Sequence, residues 1–404
     1  MSAIPTTASA WQINIVDPSH SHLSPTLLSN LSLHSCAVPE PGPGEVLVRI
    51  HAAALNFRDI LCLADSPLYP TRTLPGLVPG ADGAGEIVSV GEGSKWESSI
   101  GAAVFLTCNR DWIDGDVSVY NMHNALGAGD INGTLSQYMI VKDPWVVRAP
   151  KNLSFEEIAS LPGAGGTAIN VLQSLEIKKG TTVLTQGTGG VSCFVIQVSN
   201  RQSSPITATN SSKYAAALGA RVIATSSTDE KLQFAKKLGA SELINYKTTP
   251  DWATEVLRLT NGKGVDLVCD VGGSGTLEAT VKALRQGGTA CLVGFLTPPK
   301  PVDVLLQLIA EAKTCKSSQQ TLDDTGDNPA DAYRSEGDPR LQQEDAGGDG
   351  GLGGRARSTS TPWTCVRVGG RSGSFRTLTQ ARLRRQACSE STCIDRPDPR
   401  SDAS

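Results

Sequence analysis

An α/β fold is predicted, with a mostly β N-terminal region followed by a parallel sheet covered by helices on both faces. Three observations predict it. Residues 183–192 (VLTQGTGGVS) run from a short apolar strand through a glycine turn into an apolar segment of helical character. Downstream, nearly continuous apolar strands alternate with helical segments, the rhythm of a parallel sheet built from βαβ units. Upstream, long helices are scarce before Phe155, and glycine-punctuated segments dominate.

The glycine turn is the start of a dinucleotide-binding unit. Gly187 lets the chain turn tightly off the strand, and Gly189, without a Cβ, lets a pyrophosphate approach the backbone. The amides of Gly190, Val191 and Ser192 then face the phosphates from a helix N-terminus. Ser192 stands where the usual fingerprint has its third glycine, and it is small enough for close helix–strand packing. A G-x-G-x-x-S run by itself also describes a plain loop, so the elements behind it carry the decision. Residues 221–226 form a second strand. Residues 231–238 place Leu232, Phe234, Ala235 and Leu238 at helical spacing, closed by Gly239. A third strand (243–246), a helix (251–260), a fourth strand (265–270), a helix (276–284) and a fifth strand (289–294) follow. Gly187, Ser226, Tyr246, Val271, Gly272 and Gly294 lie at the strand tips, on the edge where open α/β sheets bind ligands. A Rossmann dinucleotide-binding domain is expected.

The second strand chooses the cofactor. Sites that prefer NAD usually carry an Asp or Glu there for the ribose hydroxyls. This strand ends instead in Ser226 and Ser227, with Lys231 one helical turn later. Asp229 and Glu230 fall in the first turn of the helix, where they complement its dipole. Hydroxyls plus a lysine suit a phosphate monoester, so NADPH is expected, although Lys231 also reads as a solvated surface charge.

In the N-terminal half, residues 45–52 partly alternate, as a half-buried antiparallel strand does. Residues 78–93 are glycine-punctuated β structure, and 134–142 predict another strand. Together with ALNFRD (54–59), PGADGAGEIVSVGEG (79–93), GTGGVS and the segments 132–138, 153–170, 220–246 and 252–296, these motifs carry a family resemblance. The chain resembles the zinc-independent, quinone-oxidoreductase-like branch of the medium-chain dehydrogenase/reductase superfamily. The resemblance implies a GroES-like, mostly β domain packed on the Rossmann domain, with NADPH and substrate in the cleft between them. It maps Asn56, Asp59, Gly189, Gly190, Val191, Ser227, Lys231, Tyr246 and Phe295 onto cofactor-contacting positions.

Asn56 and Asp59 are the catalytic candidates. Asn56 would reach toward the nicotinamide ribose or the substrate, and it also reads as an Asx-type turn. Asp59 equally reads as the partner of Arg58. Tyr69 and Tyr138 are conceivable proton donors, each also readable as a half-buried tyrosine. Zinc-dependent members of the superfamily place Cys where Asn56 stands and a His-Glu pair where Ala81 and Asp82 stand. Neither Asn56 nor Ala81 supplies a thiolate or imidazole, and between residues 90 and 130 there is only Cys108. No metal is expected. Without a Lewis acid at those positions, hydride delivery to an electron-poor quinone or α,β-enone is favoured over simple alcohol oxidation. A stand-alone enoyl reductase of polyketide or fatty-acid type is the second enzymatic reading, because LNFRD is typical of those domains too. A cofactor-binding protein without turnover is the third.

A net charge of −4 and a pI near 5.8 predict neither nucleic-acid nor membrane partners, leaving a small-molecule substrate. No signal peptide is evident, and ten cysteines without paired spacing suit reduced thiols in the cytoplasm. The predicted organisation is a GroES-like domain over 1–147, a Rossmann domain over 148–313 and a tail over 314–404. Two segments depart from the pattern. Residues 198–213 (VSNRQSSPITATNSSK) are polar and lie inside the helix that should follow GTGGVS. Joined directly, their flanks make one amphipathic helix, so the segment reads as an insert. The tail holds 1 Lys and 12 Arg with glycine-rich and acidic patches, and it reads as disordered or aberrant sequence. It stands where the family has its sixth Rossmann strand and the last strands of the β domain, which are expected to be lost. A homodimer is expected only of an intact C-terminus, and the chain as written is expected to be impaired.

Overall fold

The computed structural model describes residues 3–110, 120–199 and 219–317, and the backbone of 365–367. The described chain divides after Ala159 into two compact units.

The first unit is mostly β. Strands β1 (Thr7–Ile13) and β2 (Leu31–Ala37) pair antiparallel. Strand β3 (Glu45–Ala54) pairs antiparallel with β4 (Asp82–Val90) on one side and with β6 (Tyr138–Lys142) on the other. Strand β5 (Ala103–Leu106) continues the sheet from β4 and is followed by β7 (Val146–Arg148). Val46, Val48, Ile50, Ile87, Val104, Leu106, Val141 and Val146 fill one core with Trp11. Two helices, α1 (Phe57–Ala64) and α2 (Phe155–Ala159), complete the unit. The strand expected over 134–142 is regular only from Tyr138. Before it, the amides of Thr134 and Leu135 bond to the carbonyls of Gly80 (2.9 Å) and Pro79 (2.9 Å) rather than to a ladder. That crossing is tight enough that a Cβ on Gly133 would fall 2.0 Å from the Gly80 oxygen.

The second unit is a six-stranded parallel sheet. Helix α3 (Gly166–Gln173) leads into β8 (Thr182–Gln186), α4 (Gly190–Ser199), β9 (Arg221–Ser226), α5 (Asp229–Leu238) and β10 (Glu242–Asn245). Then come α6 (Trp252–Leu259), β11 (Val265–Asp270), α7 (Leu277–Ala283), β12 (Leu284–Leu292), α8 (Leu305–Ala310) and β13 (Thr314–Ser317). The spatial order is β10-β9-β8-β11-β12-β13, the doubly wound order with its reversal beside the first strand. Every residue of β11 is buried, as expected of a strand covered on both faces.

The loss of the sixth strand is corrected. Thr314–Ser317 pairs parallel with β12, from Thr289↔Thr314 to Leu292↔Ser317. Its composition concealed it, since only Cys315 packs on the core and the other three residues are exposed at the sheet edge. A further strand, β14 (Cys365–Arg367), pairs antiparallel with Ala52–Ala54 of β3, so the tail also returns a strand to the first unit. The rest of the tail, 318–364 and 368–404, lies outside the described residues.

The insert at 198–213 lies outside them as well, apart from its first two residues. Helix α4 continues through Val198 to Ser199, two residues beyond the expected break after Gln197. The Ser199 hydroxyl is fully buried and has no hydrogen-bond partner among the described residues. A directly joined helix would put the methyl of Ala215 at that position. The Ser199 carbonyl accepts the amide of Ala220 (3.2 Å), immediately before β9.

Candidate functional site

In the second unit the parallel strands end on one edge at Gln186, Ser226, Asn245, Asp270 and Leu292, and the predicted cofactor residues follow those ends. Gly187 has φ +70°, which explains the glycine, and no atom lies within 4 Å of a Cβ built on Gly189. The first bond inside α4 runs from the Cys193 amide to the Gly189 carbonyl (3.0 Å). The amides of Gly190, Val191 and Ser192 therefore stand at the helix N-terminus without intrahelical partners. Ser192 does what its size suggested, since its buried hydroxyl donates to the Gln186 carbonyl (2.7 Å) and ties the helix to β8.

Around this turn the structure groups the other predicted residues. The hydroxyls of Thr188 and Ser226 meet at 3.2 Å, and the Tyr246 amide donates to the Ser226 carbonyl (3.1 Å). Ser227 and Lys231 are half-exposed, and the Lys231 amide donates to the Thr228 hydroxyl, which caps α5. Val271 and Gly272 follow β11, and Gly294 follows β12. The Phe295 ring is 43% exposed. Open space at Gly189 and helix-end amides without intrahelical partners suit the pyrophosphate of a nicotinamide dinucleotide, and these residues fit it.

The sequence reading missed what holds the edge. Asp270, fully buried, accepts from the amides of Gly272 and Gly273 (both 2.9 Å) and from the hydroxyls of Thr276 (2.9 Å) and Thr280. Gln186 donates to the same carboxylate (3.0 Å) and to the Thr280 hydroxyl (2.7 Å). Its side-chain oxygen accepts from the amides of Val271 (3.3 Å) and Gly272 (3.4 Å). The loop of Val271 and Gly272 is thus fastened to β8. The available signal was a carboxylate closing an otherwise apolar buried strand, which demands partners.

In the first unit Asn56 precedes α1, with its amide nitrogen donating to Asp82 (3.0 Å). Asp59 is 4% exposed. It accepts from the Asn56 backbone N–H (2.8 Å) and pairs with Arg58 (3.2 Å). Burial pushes its carboxyl upward, against the pull of Arg58 and of the backbone N–H groups of Asn56 and Ala81. Both Asp59 oxygens are engaged, one with the Asn56 backbone N–H and the other with Arg58. Arg58 is the hub. Besides Asp59 it donates to the Leu126 carbonyl (2.7 Å) and to the Tyr69 hydroxyl (2.9 Å). Tyr69 is pushed up to about 12, chiefly by burial, and remains protonated near neutrality. Burial and then Asp82 raise Cys108 to about 11.

Zinc does not fit this donor set. At the positions where a zinc centre would need a thiolate and an imidazole stand an amide directed at Asp82 and a methyl. Among the described residues no group of three His, Cys, Asp or Glu side chains is arranged to hold a metal.

Comparison with known proteins agrees with this architecture. Residues 42–151 match the model of the alcohol dehydrogenase GroES-like domain, and residues 209–326 match that of the zinc-binding dehydrogenases. A zinc-type alcohol dehydrogenase-like protein of Schizosaccharomyces pombe is 41% identical over 66% of this chain and 73% of its own length. A quinone oxidoreductase of Pseudomonas aeruginosa is 31% identical over 72% of this chain and 77% of its own. The crystal structure of an NAD-dependent alcohol dehydrogenase superposes with a TM-score of 0.64 at 31% identity, covering 76% of this chain and 84% of that one. The chain belongs to the medium-chain dehydrogenase/reductase superfamily, a family of oxidoreductases, and its structural neighbours include NAD- and NADPH-binding members.

Proposed function

We propose that this chain is an NADPH-dependent, zinc-independent oxidoreductase of the cytoplasm that transfers hydride to a quinone or an α,β-unsaturated carbonyl. The observation that carries the cofactor choice is the end of β9. Ser226, Ser227 and Lys231 present hydroxyls and a cation, and the carboxylate of Asp229, three residues past Ser226, is bonded to Asn245. Hydroxyls and an ammonium suit a phosphate monoester through charge-assisted hydrogen bonds. The cofactor would supply the hydride. Gly189 and the helix-end amides would seat its pyrophosphate, and Asp270 would hold the loop of Val271 and Gly272 in place. Asn56, oriented by Asp59, would stand at the reacting end. The amide and methyl at positions 56 and 81 supply no Lewis-acid site, which favours an acceptor that is already electron-poor.

Replacing Lys231 by Ala is expected to weaken NADPH binding by about 1.5–3 kcal/mol, the range for hydrogen bonds to charged groups, and to leave NADH binding nearly unchanged. Nicotinamide fluorescence titration measures both, and equal losses would show that Lys231 does not read the phosphate. Metal analysis of the purified protein is expected to find no stoichiometric zinc, and chelators should leave NADPH oxidation unaltered. One tightly held zinc per chain would overturn the zinc-independent reading. For the acceptor, NADPH oxidation is measured with 1,4-benzoquinone and with an enoyl thioester. Faster turnover of the thioester would favour the enoyl-reductase reading, which the LNFRD motif supports.

A further inference from the structure

We propose that Asn245 is a cofactor-specificity residue, which acts by holding the Asp229 carboxylate away from the ribose end of the dinucleotide. The inference rests on the NADPH reading above.

Asp229 opens α5, three residues past Ser226, close to where an acidic side chain would receive the ribose hydroxyls of an unphosphorylated dinucleotide. Here it is engaged elsewhere. Asn245 ends β10 directly beside Ser226 in the parallel register, and its side-chain nitrogen donates to Asp229 (2.8 Å). The donor is itself fixed. Its side-chain oxygen accepts the Lys247 amide (3.0 Å), an Asx turn that sets which way the nitrogen points. Its backbone carbonyl accepts the amides of Thr248 (3.2 Å) and Thr249 (2.8 Å) and the Thr248 hydroxyl (3.2 Å), which anchors the residue. Asp229 and Asn245 together line a cavity of about 270 Å³ with Leu232, Gln233, Thr248 and Thr249. Ser226, Ser227, Lys231 and Tyr246 do not line it. The bond from Asn245 is what fixes the carboxylate, at the end of β10, whereas the Lys231 backbone amide is capped by Thr228. Released, it would repel a phosphate monoester and accept from ribose hydroxyls, so the two dinucleotides would respond in opposite directions.

The test is a titration of the full-length chain with NADPH and with NADH, followed by nicotinamide fluorescence at fixed ionic strength. Asn245→Leu removes the donor at similar volume. It is expected to lower the NADPH-to-NADH affinity ratio by about fivefold or more, as a surface carboxylate near a phosphate would. Asp229→Asn in the native background is expected to change the ratio less than twofold, because the carboxylate is already held away. In the Asp229→Asn background, Asn245→Leu should then have no effect on the ratio. An unchanged ratio in Asn245→Leu overturns the proposal. So does a severalfold rise in Asp229→Asn alone, an arm that decides the matter even if Asn245→Leu binds neither dinucleotide. Native protein that binds NADH more tightly than NADPH would sink the cofactor reading itself. An NADPH-preferring protein with an inert Asn245 would sink only this inference.

Discussion

Asp270→Ala is expected to destabilise the second unit by about 4 kcal/mol, and to abolish dinucleotide binding at temperatures where the protein is still folded. A buried donor left without its acceptor costs about 1–3 kcal/mol, and this carboxylate serves five donors. Some find substitutes, since Thr276 also lies 3.1 Å from the Gly273 carbonyl and Gln186 still reaches Thr280. The Gly273 amide and the Thr280 hydroxyl lose the acceptor described for them, hence two or three full penalties rather than five. Against a domain stability of about 5–15 kcal/mol this is a large share. Asp270→Asn keeps one acceptor oxygen but turns an NH2 group toward donors, so it should fall between the native protein and the alanine variant. Thermal melts with and without NADPH measure both effects. A melting temperature near native together with intact binding would show that the loop of Val271 and Gly272 does not depend on Asp270.

The second large effect is expected at Arg58. Arg58→Met keeps an unbranched apolar stem but leaves Asp59 buried without its cation, a change that costs about 3–5 kcal/mol. The pH dependence identifies the cause. Burial already raises the Asp59 carboxyl above its ordinary value, and removing Arg58 raises it further. A carboxyl whose folded pKa exceeds its unfolded one binds the proton more tightly when folded, so stability falls as pH rises from the unfolded value through the folded one. The deficit of Arg58→Met should therefore be smallest at about pH 4 and widen toward neutrality. Adding Asp59→Asn should remove that slope. A deficit that is constant with pH would mean that the lost contacts to Leu126 and Tyr69 account for the whole effect.

What the sequence disclosed and what it hid divide along distance in the chain. Strands β9 and β11 coincide with their predicted ranges because apolar runs bounded by turn residues are local signals. Gly239, at φ +115°, closes α5 as its position foretold, and the helix starts two residues early because Thr228 caps it. The glycine turn was legible for the same reason. Asp270 and Gln186 were not, since they meet across 84 residues, and Arg58 reaches Leu126 across 68. Nothing within a helical turn of either residue announces its partner. Asp59 could be read locally as a partner for Arg58, and it is one. Strand β13 went unread because an edge strand needs little apolar surface, and its hydrogen bonds come from a neighbour that its own composition does not reveal.

The bond between the Ser199 carbonyl and the Ala220 amide has a consequence for the chain as a connected object. The two ends of the intervening stretch are already pinned together, on one side by α4 and on the other by a ladder that pairs β8 with β9 from Thr182↔Arg221 to Gln186↔Thr225. Loop-closure entropy grows by only about 0.6 kcal/mol for each doubling of length, so the fold is nearly indifferent to how many residues span that gap. The glycine turn after β8 and the end of β9 are neighbours through space rather than through covalent continuity. This makes the junction a natural seam, a place where the polypeptide could be lengthened, shortened or cleaved while β8 and β9 stay in register.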